Sequence, residues 1–170
     1  MKTLAVVLVL FCANSFAEPL KDFEALVSQC RQSFENRSVV EVDFVERNKN
    51  WVKRVWSPMK STYDVKRTDS LVSPFSAFLE LTDSAAFGTA PDALAANDLD
   101  VPADGKGIMQ IRRLDFAYQD RAWVLTGGRS SIAFRRVAGG PFVPDGYTDL
   151  TRDQVLKGTG PIARCFSLGR

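Results

Sequence analysis

The sequence predicts an α+β domain in which one N-terminal helix packs against a curved antiparallel sheet of about five or six strands. Three observations support this fold class. Residues Pro19 to Phe34 carry apolar side chains at helical spacing, and several later runs alternate apolar with polar residues, as strands do. Turn-forming residues separate those runs. A single helix followed by strands in succession places the helix over one face of the sheet.

The first seventeen residues have the pattern of a secretory signal peptide. Lys2 supplies the positive charge, Leu4 to Phe11 form the apolar run, and Ser15-Phe16-Ala17 is a cleavage site of the small-x-small type. The apolar run is shorter than the roughly 20 residues that span a bilayer. We therefore expect cleavage before Glu18, a periplasmic or secreted protein, and no membrane association afterwards.

The remaining chain, residues 18–170, has the length of one domain and can bury a core. Removal of Lys2 leaves 21 basic against 20 acidic residues, a balance that does not favour nucleic-acid binding. The chain contains no histidine, and no phosphate-binding glycine loop or zinc cluster can be assembled from it. We predict no cofactor and no metal, and the sequence leaves the oligomeric state open.

Two cysteines remain after cleavage, Cys30 and Cys165. In an oxidising compartment such a pair predicts a disulfide. The alternative is a pair of free thiols, one of them catalytic, but catalytic thiols are commonly paired with a histidine that this chain lacks. We expect the disulfide.

The predicted helix begins with Pro19 in its first turn and carries one apolar stripe. The stripe consists of Phe23, Leu26, Val27, Cys30 and Phe34. Cys30 lies on this stripe, so a bridge to Cys165 would fasten the C-terminal region to the buried side of the helix.

Strands are predicted from alternation. They are Val39 to Glu46, a segment from Tyr63 to Leu81, Gly107 to Tyr118, Ala122 to Leu125 and Ser130 to Val137. The segment from Tyr63 to Leu81 is either a hairpin or one long strand with a bend, since Pro74 cannot donate a ladder hydrogen bond. Gly127-Gly128 is expected to interrupt the sheet. From Gly139 onward we expect irregular structure and one short helix within 149–156, capped by Asp149 or Thr151.

Residues 83–106 are predicted to form a flexible acidic excursion with no steady period. It contains five aspartates and many small residues, which bury too little surface to offset the entropy of ordering. A short helix is expected from Asp92 to Asn97, behind Pro91. The five aspartates also suggest a calcium site, but they do not have the EF-hand spacing, so we do not favour calcium binding.

The segment from Arg47 to Lys60 has the composition most typical of a binding surface in this chain, because basic residues are interspersed with tryptophans. One interpretation is a binding surface. It would consist of Trp51, Trp56, Lys49, Lys53 and Arg54. The interpretation we favour at this point is structural: the tryptophans cover the sheet and the cations stay in water.

Two arginine pairs, Arg112-Arg113 and Arg135-Arg136, fall within predicted strands. Neighbouring strand residues point to opposite faces, so one arginine of each pair faces the covered side. A buried arginine needs a carboxylate partner. The candidates are Glu24, Glu41 and Asp115.

The opening helix that ends near Cys30 and the aromatic hairpin from Phe116 to Trp123 together resemble the cystatin-like and NTF2-like group. The resemblance implies a helix lying on a curved sheet. Enzymes of this group commonly use a pocket aspartate, often with histidine or tyrosine. The matching residue types here are Asp64, Asp115, Tyr63 and Tyr118.

Two functional hypotheses follow. The leading one is a non-enzymatic binding domain for a protein or a small ligand. The alternative is an NTF2-like lyase, isomerase or hydrolase that uses Asp64, Asp115 and Tyr118, although the usual histidine is missing.

Overall fold

The computed structural model describes residues 7–35, 39–157 and 165, together with the side chains from residue 17 onward within those ranges. In these residues a long N-terminal helix accompanies an open antiparallel sheet of seven strands, so the predicted α+β class is confirmed and the strand count is higher than expected. The elements are α1 (Val7–Glu35), β1 (Val40–Val45), β2 (Asn50–Trp56), β3 (Lys60–Arg67), β4 (Phe75–Ala90), α2 (Ala93–Asp98), β5 (Gly107–Gln119), β6 (Ala122–Arg135), β7 (Val143–Thr151) and α3 (Arg152–Lys157).

Strand β4 organises the sheet because both β2 and β3 pair with it along the same edge. The strand order is β1-β2-β4-β5-β6-β7, and β3 pairs with β4 outside this path. The first half of β4 pairs with β3, and its second half, Ala85 to Ala90, pairs with β2. The opposite edge of β4 pairs with β5 over twelve residues, from Phe75 to Ala86.

The two faces of the sheet differ in what covers them. Side chains of α1 form one core with alternate residues of β4 and β5, among them Leu79, Leu81 and Leu114. We call this side the helix face and the opposite side the far face. Because residues directly opposite each other on paired strands point the same way, the strand register assigns the remaining side chains to one face or the other.

Phe23 fixes α1 to the helix face. Its side chain has no exposed surface, and its ring lies 4.9 Å from that of Trp123, 5.3 Å from Phe116 and 5.9 Å from Tyr63. The indole Nε1 of Trp123 also donates to the backbone carbonyl of Pro19 at 2.8 Å. Three strands thereby contact one turn of the helix.

The segment from Tyr63 to Leu81 is a hairpin. β3 and β4 pair from Lys60 to Arg67, and the loop closes with a backbone hydrogen bond from Thr68 N to Pro74 O at 2.9 Å. The later hairpin turns through Asp120 and Arg121, both with positive φ, the conformation that suits a two-residue turn between twisted strands.

The predicted excursion at 83–106 begins later than expected, because β4 continues through Ala90. The period-2 pattern was hidden by small side chains and by Asp83, which is buried although it is charged. The short helix behind Pro91 is present as α2, and the Asp92 side chain accepts from Ala95 N at 2.8 Å at its start.

The predicted break at Gly127-Gly128 was also wrong, since both glycines lie inside the single strand β6. A register shift near Asp115 and Phe116 absorbs the irregularity. Gly128 allows β5 and β6 to approach closely, because a Cβ there would lie 2.3 Å from the Arg113 carbonyl oxygen.

The C-terminal region contains a strand where irregular structure was predicted. β7 is exposed along almost its whole length, which removes the alternation that marks a half-buried strand. It lies at the sheet edge, where Pro144 costs no ladder bond, and Gly146 has a φ of 92°. The short helix follows as α3, and Thr151 exchanges hydrogen bonds with Gln154 at its start, as one of the two predicted caps.

Pro19 lies inside α1 and not in its first turn, because the helix also includes residues from the apolar run that precedes it. Lys2 and the start of the predicted signal peptide are outside the described residues. Within the described part of the chain, no helix combines the length and the apolar character needed to cross a membrane.

The first testable prediction concerns Cys30 and Cys165, which lie side by side in the core with their Cα atoms 4.5 Å apart. We expect a disulfide in freshly purified mature protein. Across 135 residues, the chain-entropy model gives such a bridge a stabilisation of at most about 5 kcal/mol. Mass spectrometry of a non-reduced digest should find the two cysteine peptides linked, and recovery of both as free thiols would contradict the prediction.

The second prediction concerns Phe23. Phe23→Ala should lower the free energy of unfolding by about 3–5 kcal/mol, since it leaves a cavity among three aromatic rings. Phe44→Ala, at a position that is 42 % exposed, is the matched control and should cost much less. Urea denaturation followed by circular dichroism compares the two, and equal losses would mean that α1 does not depend on Phe23.

Candidate functional site

The candidate site lies where β2 and β3 separate along the edge of β4. The two strands are joined by Ser57-Pro58-Met59, and neither of them pairs with β4 at Asp83 or Ser84. One backbone hydrogen bond spans the gap, from Ser57 N to Ser84 O at 2.8 Å. Pro58 has no N–H to donate, which fits the end of the β2 ladder at this point.

A cavity of about 460 Å³ occupies this junction, between the C-terminal end of α1 and the helix face of the sheet. We call it the helix-end cavity. Its apolar walls come from all the elements that meet there: Phe34, Val39, Trp56, Pro58 and Met59. Its polar lining residues are Arg31, Glu35, Ser57, Ser61 and Asp83.

A buried ion pair stands at the sheet side of the cavity. The Asp83 carboxylate is 4 % exposed and accepts from Arg112 Nη1 at 3.2 Å. Asp83 is two residues from Leu81 on β4, and Arg112 is the register partner of Leu81 on β5, so both side chains belong to the helix face. Their charges compensate each other within a largely apolar layer.

Arg31 closes the helix side of the cavity. Its Nε donates to Ser61 Oγ at 2.7 Å, which ties the last turns of α1 to β3. Glu35 lies one helical turn further on, so the entrance carries one positive and one negative side chain. The cavity is therefore apolar inside, with directed polar groups at its entrance and on its sheet side, the usual composition of a small-ligand site.

The structure divides the predicted basic and aromatic surface between the two faces. Trp51 lies on the far face against Phe44, with ring centroids 5.7 Å apart, whereas Trp56 lines the helix-end cavity. Residues five apart on a straight strand point to opposite sides, so these tryptophans cannot share one contact.

The three cations of that surface are engaged locally. Lys49 pairs with Glu46 in the β1–β2 turn, and Arg54 donates to Asp43 at 2.9 Å. Lys53 donates to two backbone carbonyl oxygens at the C-terminal end of α2, that of Asn97 in its last turn and that of Leu99 just after it, both at 2.7 Å. Lys53 therefore holds α2 against the sheet.

The residues of the enzymatic alternative are not brought together. Asp64 and Asp115 are both register partners of Phe78 and lie on the far face, where Asp64 pairs with Lys66 at 3.4 Å and Asp115 with Arg113 at 3.0 Å. Tyr118 is buried on the helix face, with its ring 5.2 Å from that of Trp123. The sheet therefore separates the two carboxylates from this tyrosine.

Two tyrosines have a perturbed pKa. The pKa of Tyr63 is raised, first because its hydroxyl is hydrogen-bonded to Glu24 at 3.1 Å and then because of burial. Burial is the main cause of the raised pKa of Tyr118, and the negative charges of Asp22 and Glu18 add to it. Acidic side chains of α1 contribute to both shifts, Glu24 for Tyr63 and Asp22 and Glu18 for Tyr118.

Sequence reasoning missed Asp83, Met59 and Arg112 as site residues. Arg112 was recognised as one of a pair in which one member faces the covered side, but Asp83 was not considered as its carboxylate because it was assigned to the excursion. A charged residue at a core position on each of two strands is the signal that points to such a pair. The other arginine, Arg113, does pair with Asp115, one of the expected partners.

Among the described residues, no group of three or more histidine, cysteine, aspartate or glutamate side chains is placed to hold a metal ion. Comparison of the chain with protein-family models, with curated proteins and with solved structures gives no match.

The third prediction tests the buried pair. Asp83→Asn should lower the free energy of unfolding by about 2–3 kcal/mol, because it leaves the Arg112 guanidinium without its carboxylate in a mostly buried position. Asp115→Asn is the matched control: it removes the partner of the adjacent Arg113 in a half-exposed pair and should cost less than about 1 kcal/mol.

The double variant Asp83→Asn/Arg112→Gln should recover part of the loss, since it removes both charges together. Chemical denaturation of the parent protein, Asp83→Asn, Arg112→Gln and the double variant measures the coupling between the two residues. Additive losses for Asp83 and Arg112 would show that they are not energetically paired.

Proposed function

We propose that this chain is an exported, non-enzymatic domain that binds a small and largely apolar ligand in the helix-end cavity. The observation that carries the proposal is the cavity itself. Its volume of about 460 Å³ lies within the range of about 300–1,000 Å³ that is usual for small-molecule sites. Phe34, Trp56 and Met59 offer an apolar interior, and Arg31 offers a donor at the entrance.

Export is part of the proposal. It is supported by the signal-peptide pattern of residues 1–17 and by the proximity of Cys30 and Cys165, a pairing suited to an oxidising compartment. Cleavage before Glu18 would leave Pro19 in the first turn of α1. Proline is well tolerated there, whereas in the helix interior it removes a hydrogen bond.

We also propose that the fold is a variant of the cystatin-like and NTF2-like plan. Its support is the position of α1 across one face of an antiparallel sheet and the contact of Phe116 and Trp123 with the helix. Enzymes of that group commonly use a pocket between the helix and the sheet. The helix-end cavity lies in the corresponding place.

We favour binding over catalysis because of how the cavity carboxylates are arranged. Asp83 already accepts a hydrogen bond from Arg112, and Glu35 stands at the end of α1 on the exposed side. The chain has no histidine to complete a proton relay. A lyase, isomerase or hydrolase would need a base directed at the ligand, and Asp64 and Asp115 lie across the sheet from the cavity.

The fourth prediction tests ligand binding with the neutral fluorescent dye N-phenylnaphthylamine as a probe. The purified protein should bind the dye with enhanced emission. Met59→Trp, which fills the cavity, should lower the affinity about tenfold or more, equivalent to about 1.4 kcal/mol. Trp56→Ala should also weaken binding, because it removes one wall.

Trp51→Ala is the control for Trp56→Ala, since Trp51 lies on the far face. It should leave dye binding unchanged. Melting temperatures measured in parallel exclude unfolding as the cause of any loss. Equal dye affinity in the parent, Met59→Trp and Trp56→Ala proteins would contradict the proposal that this cavity is a ligand site.

A further inference from the structure

A second cavity lies on the sheet beyond α1 and has a different composition. It encloses about 390 Å³ and is lined by Phe87, Lys106, Gly107, Phe134, Arg135 and Arg136. We call it the basic cleft. Its lining carries three cations and two aromatic rings and contains no acidic residue.

Two of the three cations are not engaged by the protein. Arg135 is used structurally, since it donates to the carbonyl oxygens of Gly105 at 2.5 Å and Ala103 at 2.6 Å and lies over the ring of Phe142. Lys106 and Arg136 are exposed, and their side chains make no hydrogen bond or ion pair with any residue in the described part of the chain. Their positive charges are available to an anion.

The strand register places the basic cleft and the helix-end cavity on the same face of the sheet. Trp56 on β2 is opposite Ala85 on β4, Ala85 is opposite Ile108 on β5, and Ile108 is opposite Phe134 on β6. These four residues form one row across the helix face. Trp56 at one end lines the helix-end cavity, and Phe134 at the other end lines the basic cleft.

The cations stand beside the cleft end of this row. Phe87, two residues beyond Ala85, donates its backbone N–H to the Lys106 carbonyl oxygen at 2.8 Å, and Arg136 directly follows Arg135, the register partner of Gly107. Between the two cavities Ala85 is only 1 % exposed and adds no contact surface, so the accessible apolar side chains of the row are those of Trp56, Ile108 and Phe134. The face thus passes from an apolar cavity, through an apolar row, to unpaired positive charge.

We propose that the ligand of the helix-end cavity is a single-chain amphipathic anion, with its apolar chain in that cavity and along the row and its charged head group at Lys106 and Arg136. This inference rests on the proposed function. Three inter-strand spacings separate Trp56 from Phe134, about 14 Å, which a saturated chain of about twelve carbons can reach. Two cations in a cleft whose lining has no acidic residue fit a carboxylate or a phosphate.

The experiment measures displacement of N-phenylnaphthylamine by three ligands with the same chain: dodecanoate, monododecyl phosphate and neutral dodecanol, all below their micelle concentrations. In the parent protein the anions should displace the dye at lower concentration than dodecanol. The better of the two anions identifies the head group as carboxylate or phosphate. Equal displacement by all three would overturn the proposal.

Variants then locate the two ends of the ligand. Lys106→Ala/Arg136→Ala should weaken both anions about tenfold or more and leave dodecanol unchanged. Arg47→Ala/Arg152→Ala removes the same charge at exposed positions outside both cavities and should change nothing. Met59→Trp, measured by calorimetry because it also weakens the dye, should weaken all three ligands.

The possible failures are distinguishable. If Met59→Trp weakens dodecanol while Lys106→Ala/Arg136→Ala leaves the anions unchanged, the cavity binds a ligand and the anionic head group is wrong. If Met59→Trp weakens the binding of dodecanol but not of the anions, or if two anions bind each protein molecule, the two cavities are separate sites. The proposal of one ligand that bridges them is then wrong. If Met59→Trp affects none of the ligands, the proposed function itself fails.

Discussion

Phe23 holds α1 against the sheet through contacts with Tyr63, Phe116 and Trp123, and the rest of the helix face is arranged around that contact. The three rings come from β3, β5 and β6, so one side chain relates strands that are distant in the sequence. Because the core residues of α1 extend only to Phe34, the helix covers part of the sheet and leaves the rest of that face to other groups. The helix-end cavity lies at the end of the covered part, where Arg31, Phe34 and Glu35 line it, and no residue of α1 lines the basic cleft.

The sequence predicted the elements whose side chains alternate clearly and failed where alternation disappears for a physical reason. The stripe of α1 and the strand character of Tyr63 to Leu81 were predicted because their apolar residues are large and regularly spaced, whereas the choice between a hairpin and a bent strand was left open. β7 was missed because nearly all its residues are exposed and therefore carry no apolar pattern. The second half of β4 was missed because alanines and Asp83 occupy its core positions.

The candidate site was harder to predict than the fold, because its residues come together only through the strand register. Trp56 was identified as a possible contact residue, but its separation from Trp51 by the sheet depends on where β2 pairs with β4. The sequence also gives no sign that β4 pairs with two strands on one edge. That arrangement leaves the gap at Ser57-Pro58-Met59 from which the helix-end cavity is made.

The pair of Asp83 and Arg112 connects the architecture of the sheet with the proposed function. Stability alone does not explain it, since a buried ion pair is often no better than two well-packed apolar residues. Asp83 lies on the stretch of β4 where neither β2 nor β3 pairs, so the cavity reaches its side chain. Asp83 gives an apolar cavity one polar side, which would orient the ligand that we propose for it. The basic cleft adds a charged end along the same face, so the helix face can distinguish the two ends of an elongated ligand.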